Sequence, residues 1–82
     1  MEIRQISENK WDYLPLLLLG DEQEDMIARY LDRSALFALY DGDVLRTVCA
    51  VTDEGDGVFE IKNLATEPSS QRQGYGAALV AW

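Results

Sequence analysis

Residues 60–82 read EIKNLATEPSSQRQGYGAALVAW. The stretch predicts a strand, a proline-bearing loop, a glycine-bearing turn and a helix that runs on to Trp82. The turn Gln71-Arg72-Gln73-Gly74-Tyr75-Gly76 is where the chain asks for unusual backbone geometry just before a helix. The first amides of a helix have no partner inside it and carry its positive end, which suits an anion. A pyrophosphate needs several such amides aimed at one place with no side chain in the way. Gly74 and Gly76 leave that room, and Arg72 can add a charged contact from the side. Glycines alone would equally serve a tight loop-to-helix turn, so the neighbouring sequence has to decide.

Working back from Glu60, Val58 to Thr66 reads as a strand, and Glu67-Pro68-Ser69-Ser70 ends it because proline cannot donate to a ladder. Asp53-Glu54-Gly55-Asp56-Gly57 is a turn. It lacks the ligand spacing and closing glutamate of a calcium loop. Val44 to Thr52 predicts another strand, with Val44, Arg46, Val48 and Ala50 on one face and Leu45, Thr47, Cys49 and Val51 on the other. Asp41-Gly42-Asp43 is a hairpin signal, and Ala35 to Tyr40 is its partner strand. These three strands read as an antiparallel meander. Before them, Glu22 to Leu31 predicts a helix with an acidic first turn and a stripe of Met26, Ile27, Tyr30 and Leu31. An earlier helix starts at Asn9, carries Trp11, Leu14 and Leu18 on one face, is kinked or restarted at Pro15, and stops at Gly20. Glu2 to Ile6 is a first strand.

The chain has 82 residues, of which 48% are hydrophobic, so it is one small globular domain at most. A formal charge of -8 argues against nucleic acid as a partner. It suits a cationic small substrate, although a solvated acidic surface is the commoner meaning. Leu16 to Leu19 is too short to span a membrane, and the N-terminus lacks the pattern of a signal peptide. With no histidine and one cysteine, neither a zinc site nor an internal disulfide is expected. Cys49, in mid-strand without a histidine to activate it, reads as a buried structural thiol. A cytoplasmic location is the default.

The turn does not match a Walker loop, since no Gly-Lys-Ser/Thr follows. It does not match the dinucleotide fingerprint either, because a third spaced glycine is missing. Gln71-x-x-Gly74-x-Gly76, preceded by Asn63-Leu64-Ala65-Thr66-Glu67-Pro68, resembles the acetyl-CoA signature of the GNAT family of N-acetyltransferases. The likeness covers the whole chain by element order and is specific from about Ile61 to Val80. It implies an α+β chain of three α/β layers: an antiparallel-rich sheet with flanking helices, forming an incomplete acyl-CoA N-acyltransferase fold. Residues 1–82 would be the N-terminal half of the domain. The main chain of Leu64, Ala65 and Thr66 would line the pantetheine arm and hold the thioester. Gln71, Arg72, Gln73, Gly74, Tyr75, Gly76 and Ala77 would cradle the pyrophosphate of acetyl-CoA, with no metal. Acetyl would pass to the amine of a small molecule or peptide. In some family members a glutamate on this strand takes the amine proton, and Glu60 is the position here that could. Glu22, Asp25 and Tyr30 fall in the region that borders the acceptor. Thr66 departs from the family's usual apolar residue.

The family continues past the signature helix, and the apolar end Ala77 to Trp82 has no stop signal. The chain is therefore expected to be a fragment or truncated product, inactive by itself. Tyr75, Leu79 and Trp82 would form a stripe in need of a partner surface, and Val58–Thr66 an exposed edge. Self-association through that edge or through the C-terminal helix follows as an expectation. Two other readings use the same features: a non-catalytic binding or interaction module on a half-fold, and a nucleotide-binding protein of another kind.

Overall fold

Short polar turns set the architecture. In a computed structural model that describes residues 1–81, the strands are β1 (Glu2–Ile6), β2 (Ala35–Asp41), β3 (Val44–Gly55) and β4 (Val58–Thr66). The helices are α1 (Leu14–Gly20), α2 (Glu24–Ala28) and α3 (Tyr75–Ala81), with 3₁₀ turns at Lys10–Tyr13 and Pro68–Ser70. The sheet order is β1-β2-β3-β4 and every pairing is antiparallel.

The β2–β3 hairpin closes on Asp41 opposite Val44, with Gly42 at φ 64 in the first central position. The β3–β4 hairpin closes on Gly55 opposite Val58, and both central residues, Asp56 at φ 54 and Gly57 at φ 77, are left-handed. That conformation matches the strand twist. The acidic turn is thus shorter than its sequence suggests, and β3 runs to Gly55 instead of ending at Thr52. Thr52 donates to Glu54 Oε2 at 2.6 Å, and Asp53 Oδ1 accepts from the Gly55 amide at 2.9 Å. Local acids therefore hold the strand end.

Bulges alter the expected strand faces. Leu39 is opposite Thr47 while Tyr40 is opposite Leu45, so β3 spends an extra residue at Arg46. Leu45 accordingly packs with the Val48 and Ala50 layer, and not with Thr47 and Cys49 as strict alternation predicts. A second slip sets Ala50 opposite Asn63 and Val51 opposite Ile61, leaving Lys62 as the extra residue of β4.

One face of the sheet is covered by α1 and α2. Leu16, Leu17, Ile27 and Leu31 pack there on Leu36, Ala38, Val48, Ala50 and Ala65. The other face carries α3, where Leu79 meets Leu39 and Cys49. The result is the expected three layers. Cys49 is a buried free thiol whose pKa is raised by burial.

The helices on the first face differ from the periodicity reading. Asn9 is left-handed and makes no side-chain cap, so a 3₁₀ turn precedes α1, and Pro15 sits in the first turn of α1. Trp11 is exposed and donates Nε1–H to Asp32 Oδ1 at 3.0 Å. Helix α2 covers only Glu24–Ala28, whereas Glu22 to Leu31 was expected. Beyond it, Lys10 Nζ donates to the carbonyls of Leu31 at 3.4 Å, Asp32 at 3.2 Å and Ser34 at 2.5 Å. That ammonium satisfies carbonyls a longer helix would have used itself.

Candidate functional site

The end of β4 and the turn after it form one surface. Thr66, Ala65 and Leu64 lie opposite Thr47, Val48 and Cys49. Ala65 is buried in the α1 layer, while Leu64 is exposed on the α3 side. Thr66 pairs its hydroxyl with that of Thr47 at 3.1 Å. A hydroxyl therefore replaces an apolar contact at the strand end without being left unsatisfied. Among the described residues β4 pairs only with β3, so main-chain groups along its outer edge are open to a ligand or another strand.

The chain then turns over the strand end. The Glu67 amide donates to Arg46 O at 2.8 Å. The Glu67 carboxylate accepts from the Ser69 hydroxyl and, at 3.2 Å, from Ser70 Oγ. Those bonds, Ser69's first, hold its pKa below the ordinary carboxylate value. Gln71 Nε2 donates to Thr66 O at 3.4 Å and Gln73 Nε2 to Ser69 O at 3.2 Å, so both amide side chains pin the turn from within. Arg72 at φ 65 and Gly74 at φ 82 are both left-handed. This is the geometry for which the glycine at position 74 is suited, and Arg72 holds it despite its Cβ.

Helix α3 starts immediately afterwards. Its earliest main-chain bond runs from the Ala78 amide to Gly74 O at 2.9 Å, and the amides of Tyr75, Gly76 and Ala77 precede that bond. A Cβ on Gly76 would lie 3.5 Å from Thr66 Oγ1, an ordinary contact, so the protein's own packing does not demand glycine there.

The Tyr75 side chain turns away from this surface. Its hydroxyl donates to Asp41 Oδ2 at 2.8 Å, and its ring lies 5.7 Å from the Arg46 guanidinium. The bond to Asp41, then burial and the charge of Asp41, raise its pKa. Arg46 also donates from Nη1 to Ser70 Oγ at 2.7 Å, and its Nε is buried without a partner. Arg46, Asp41 and Ser70 thus hold the flanks of the turn, although the sequence reading passed over them as candidates. The available signal was a lone arginine on the strand face expected to carry Val44, Val48 and Ala50.

The expected acid–base and acceptor residues are less closely gathered. Glu60 lies opposite Thr52, is exposed, and pairs with Lys62 at 3.1 Å. Six residues separate it from Thr66, roughly 20 Å along an extended strand. Tyr30 is buried and lines a cavity of about 350 Å3 together with Asp21, Met26, Arg29, Arg33 and Lys62. Its pKa is raised, mainly by burial. Glu22 and Asp25 are exposed and do not line that cavity. Under α3, a groove of about 320 Å3 is walled by Phe37, Cys49, Val51, Ile61, Leu79 and Val80. The expected Tyr75–Leu79–Trp82 stripe reaches outside the described residues at Trp82. No helix among the described residues is long and apolar enough to cross a membrane.

Comparison with known proteins identifies the family. The profile of the Acetyltransferase (GNAT) family matches residues 3–82. An uncharacterized N-acetyltransferase of Bacillus subtilis (strain 168), YvbK, is 35% identical over 65 residues, which are 79% of this chain and 42% of that protein. A Bacillus subtilis acetyltransferase solved in complex with CoA superposes with a TM-score of 0.86 at 32% identity, over 96% of this chain and 52% of its own. A GNAT family acetyltransferase from Elizabethkingia anophelis with acetyl-CoA bound gives a TM-score of 0.89 at 25% identity, over 98% of this chain and 52% of its own. The chain therefore spans about half the length of the relatives it matches. With the signature turn, the three layers and the family profile in agreement, this chain belongs to the GNAT acetyltransferase family.

Proposed function

We propose that residues 1–82 form the N-terminal, coenzyme-binding half of an N-acetyltransferase that moves acetyl from acetyl-CoA to an amine. The observation that carries the reading is the Gln71–Ala77 turn. Two left-handed residues set it on the end of β4, with glycine at position 76 where packing does not require it. CoA or acetyl-CoA bound in two solved relatives supports it. In this reading the main chain of Leu64, Ala65 and Thr66 on the open edge of β4 follows the pantetheine arm. The amides from Gln71 to Ala77 hold the pyrophosphate, with the Arg72 side chain beside them. Gln71 and Gln73 act by pinning the turn, and Tyr75 through its main chain.

Acetyl-CoA brings an activated thioester. The amine nitrogen attacks its carbonyl, the C–N bond forms, and the C–S bond breaks to release CoA thiolate, which takes up the proton that the amine gives up. Main-chain donors of the β4 edge suit the oxyanion that develops between those steps. Glu60 is the proposed acceptor of the amine proton. It would act through a relay of several waters, because its carboxylate is held by Lys62 and the coenzyme segment lies further along the strand. The cavity beside Tyr30 is the proposed acceptor side. A buried free Cys49 suits a cytoplasmic home. The open β4 edge, with Phe59 and Ile61 exposed, supports pairing with a second copy.

Calorimetric titration with CoA tests the reading. Binding that is lost in Gly74→Glu supports it, since the new side chain would fill and charge the cradle. Binding that survives this change unaltered would remove the turn from the site.

A further inference from the structure

We infer that Arg46 is a positioning residue for the pyrophosphate turn: one guanidinium, delivered by a β-bulge, holds both flanks of Gln71–Gly74. The inference rests on the reading of that turn as the pyrophosphate site.

The turn needs an external hold. It contains two left-handed residues within three positions, and one of them, Arg72, has a Cβ that disfavours this conformation. Its glutamine bonds, Gln71 to Thr66 O and Gln73 to Ser69 O, are long and exposed. The short contact is Arg46 Nη1 to Ser70 Oγ at 2.7 Å, on a serine that is fully buried immediately before the turn. Ser70 passes the hold to Glu67, whose carboxylate is further favoured in its charged form by Arg46.

On the far flank the same guanidinium lies 5.7 Å from the Tyr75 ring, and Tyr75 is tied to Asp41 at the β2–β3 hairpin. Asp41 and Arg46 stand at opposite sides of the hairpin that crosses at Gly42. The turn is therefore clamped from both ends to one rigid hairpin.

The bulge explains how a charged residue reaches this place. With Leu39 opposite Thr47 and Tyr40 opposite Leu45, Arg46 is surplus to the ladder and its side chain leaves the Val48 and Ala50 face. Without the slip it would project into the layer where Leu16 and Leu17 pack. Its Nε remains buried without a partner.

Arg46→Gln, Arg46→Lys and Ser70→Ala are compared with the parent chain by two measurements. Amide hydrogen exchange without ligand reads the brace itself. The inference expects faster exchange, roughly tenfold, at Ala78 and across the turn in Arg46→Gln, with β3 amides from Val48 to Ala50 unchanged and partial recovery in Arg46→Lys. Titration with CoA and with inorganic pyrophosphate reads the consequence, and both affinities should fall by the same factor. Ser70→Ala should move both readouts in the same direction without removing a charge. Turn exchange that is unchanged, or that rises only together with β3, overturns the inference. So does a fall in CoA affinity with pyrophosphate affinity intact. A parent chain that binds neither ligand overturns the coenzyme reading, and the exchange measurement then still decides whether Arg46 braces the turn.

Discussion

A Cβ placed on Gly20 would lie 2.1 Å from Oδ1 of Asn63, so the last residue of α1 and a buried amide of β4 occupy each other's space. Asn63 donates Nδ2 to Leu17 O at 2.9 Å and to Tyr30 Oη at 2.9 Å. Held by two bonds, it cannot swing aside. Gly20→Ala should therefore cost about 1–3 kcal/mol, the usual range for overpacking a fixed site. Asn63→Ala should cost about 1–3 kcal/mol by removing the donor to the buried Tyr30 hydroxyl, while Leu17 O keeps the Asp21 amide. Combined, the two changes should cost less than their sum, because the clash disappears with the amide. Thermal or urea unfolding of the single and double variants measures this. Additivity within about 0.5 kcal/mol would show that the two residues do not compete for the space.

The order of elements and the position of the turn were legible in the sequence because they rest on local signals. Asp41-Gly42, Asp56-Gly57, Pro68 and Gly74 each demand particular backbone angles, and each sits at a turn or strand end. The bulges were not legible. At Arg46 strict alternation sends Leu45 to the wrong face, and a slip of one residue is decided by pairing across the sheet. The end of α2 was missed for a similar reason. The carbonyls of Leu31, Asp32 and Ser34 are satisfied by Lys10, more than twenty residues earlier, which no helical periodicity can register. Among the candidate site residues, Gln71 to Gly76 were proposed from a motif. The clamp of Arg46, Ser70 and Asp41 was not, because it depends on long-range contacts between residues that carry no motif of their own.

Alkaline pH should loosen the α1 side first. Tyr13 and Tyr40 share a hydrogen bond of 2.8 Å between their hydroxyls. Burial, then that bond, push the Tyr13 pKa up to about 12 from its ordinary 10.0. Its protonated form is thus favoured in the fold. The corresponding stability is fully present below the ordinary value and is lost as pH rises through the folded one. Unfolding midpoints should fall across that window, and Tyr13→Phe should flatten the fall. Ionisation followed at 295 nm should show a tyrosine titrating later in the folded protein than in urea. A single common titration near the ordinary value would remove the half-buried pair from this account.

Acid should weaken the turn. Ser69, Ser70 and the charge of Arg46 depress the Glu67 pKa. The stabilisation this gives is present above the unfolded value, about 4.3 for a glutamate, and is lost as pH falls through the lower folded value. Affinity for pyrophosphate should decline over that range in the parent chain and less steeply in Glu67→Gln, which cannot titrate. Equal slopes would show that Glu67 plays no part in holding the turn.

The β4 edge should bring two copies together. Phe59 is 67% exposed and Ile61 50%, on a strand whose outer edge has no partner among the described residues. Light scattering should show the mean mass rising with concentration. Ile61→Lys, which places a charge on the edge without entering the core, should return the chain to a monomer. A clean monomer of the parent chain at high concentration would rule the pairing out.

Gly74 separates backbone geometry from ligand chemistry. Its φ of 82 lies in the left-handed region, and nothing in the protein stands within 4 Å of a Cβ built there. Gly74→Ala should therefore destabilise by about 1–2 kcal/mol through the backbone alone, with no clash to add. Gly74→Asn should cost less, because asparagine tolerates this conformation. Both side chains project beside the proposed pyrophosphate cradle, so CoA affinity should fall in both variants, including the asparagine variant whose folding is nearly unaffected. Unfolding curves measured alongside CoA titrations distinguish the two effects. If affinity follows stability alone, with Gly74→Asn binding like the parent, the glycine serves the turn and not the ligand.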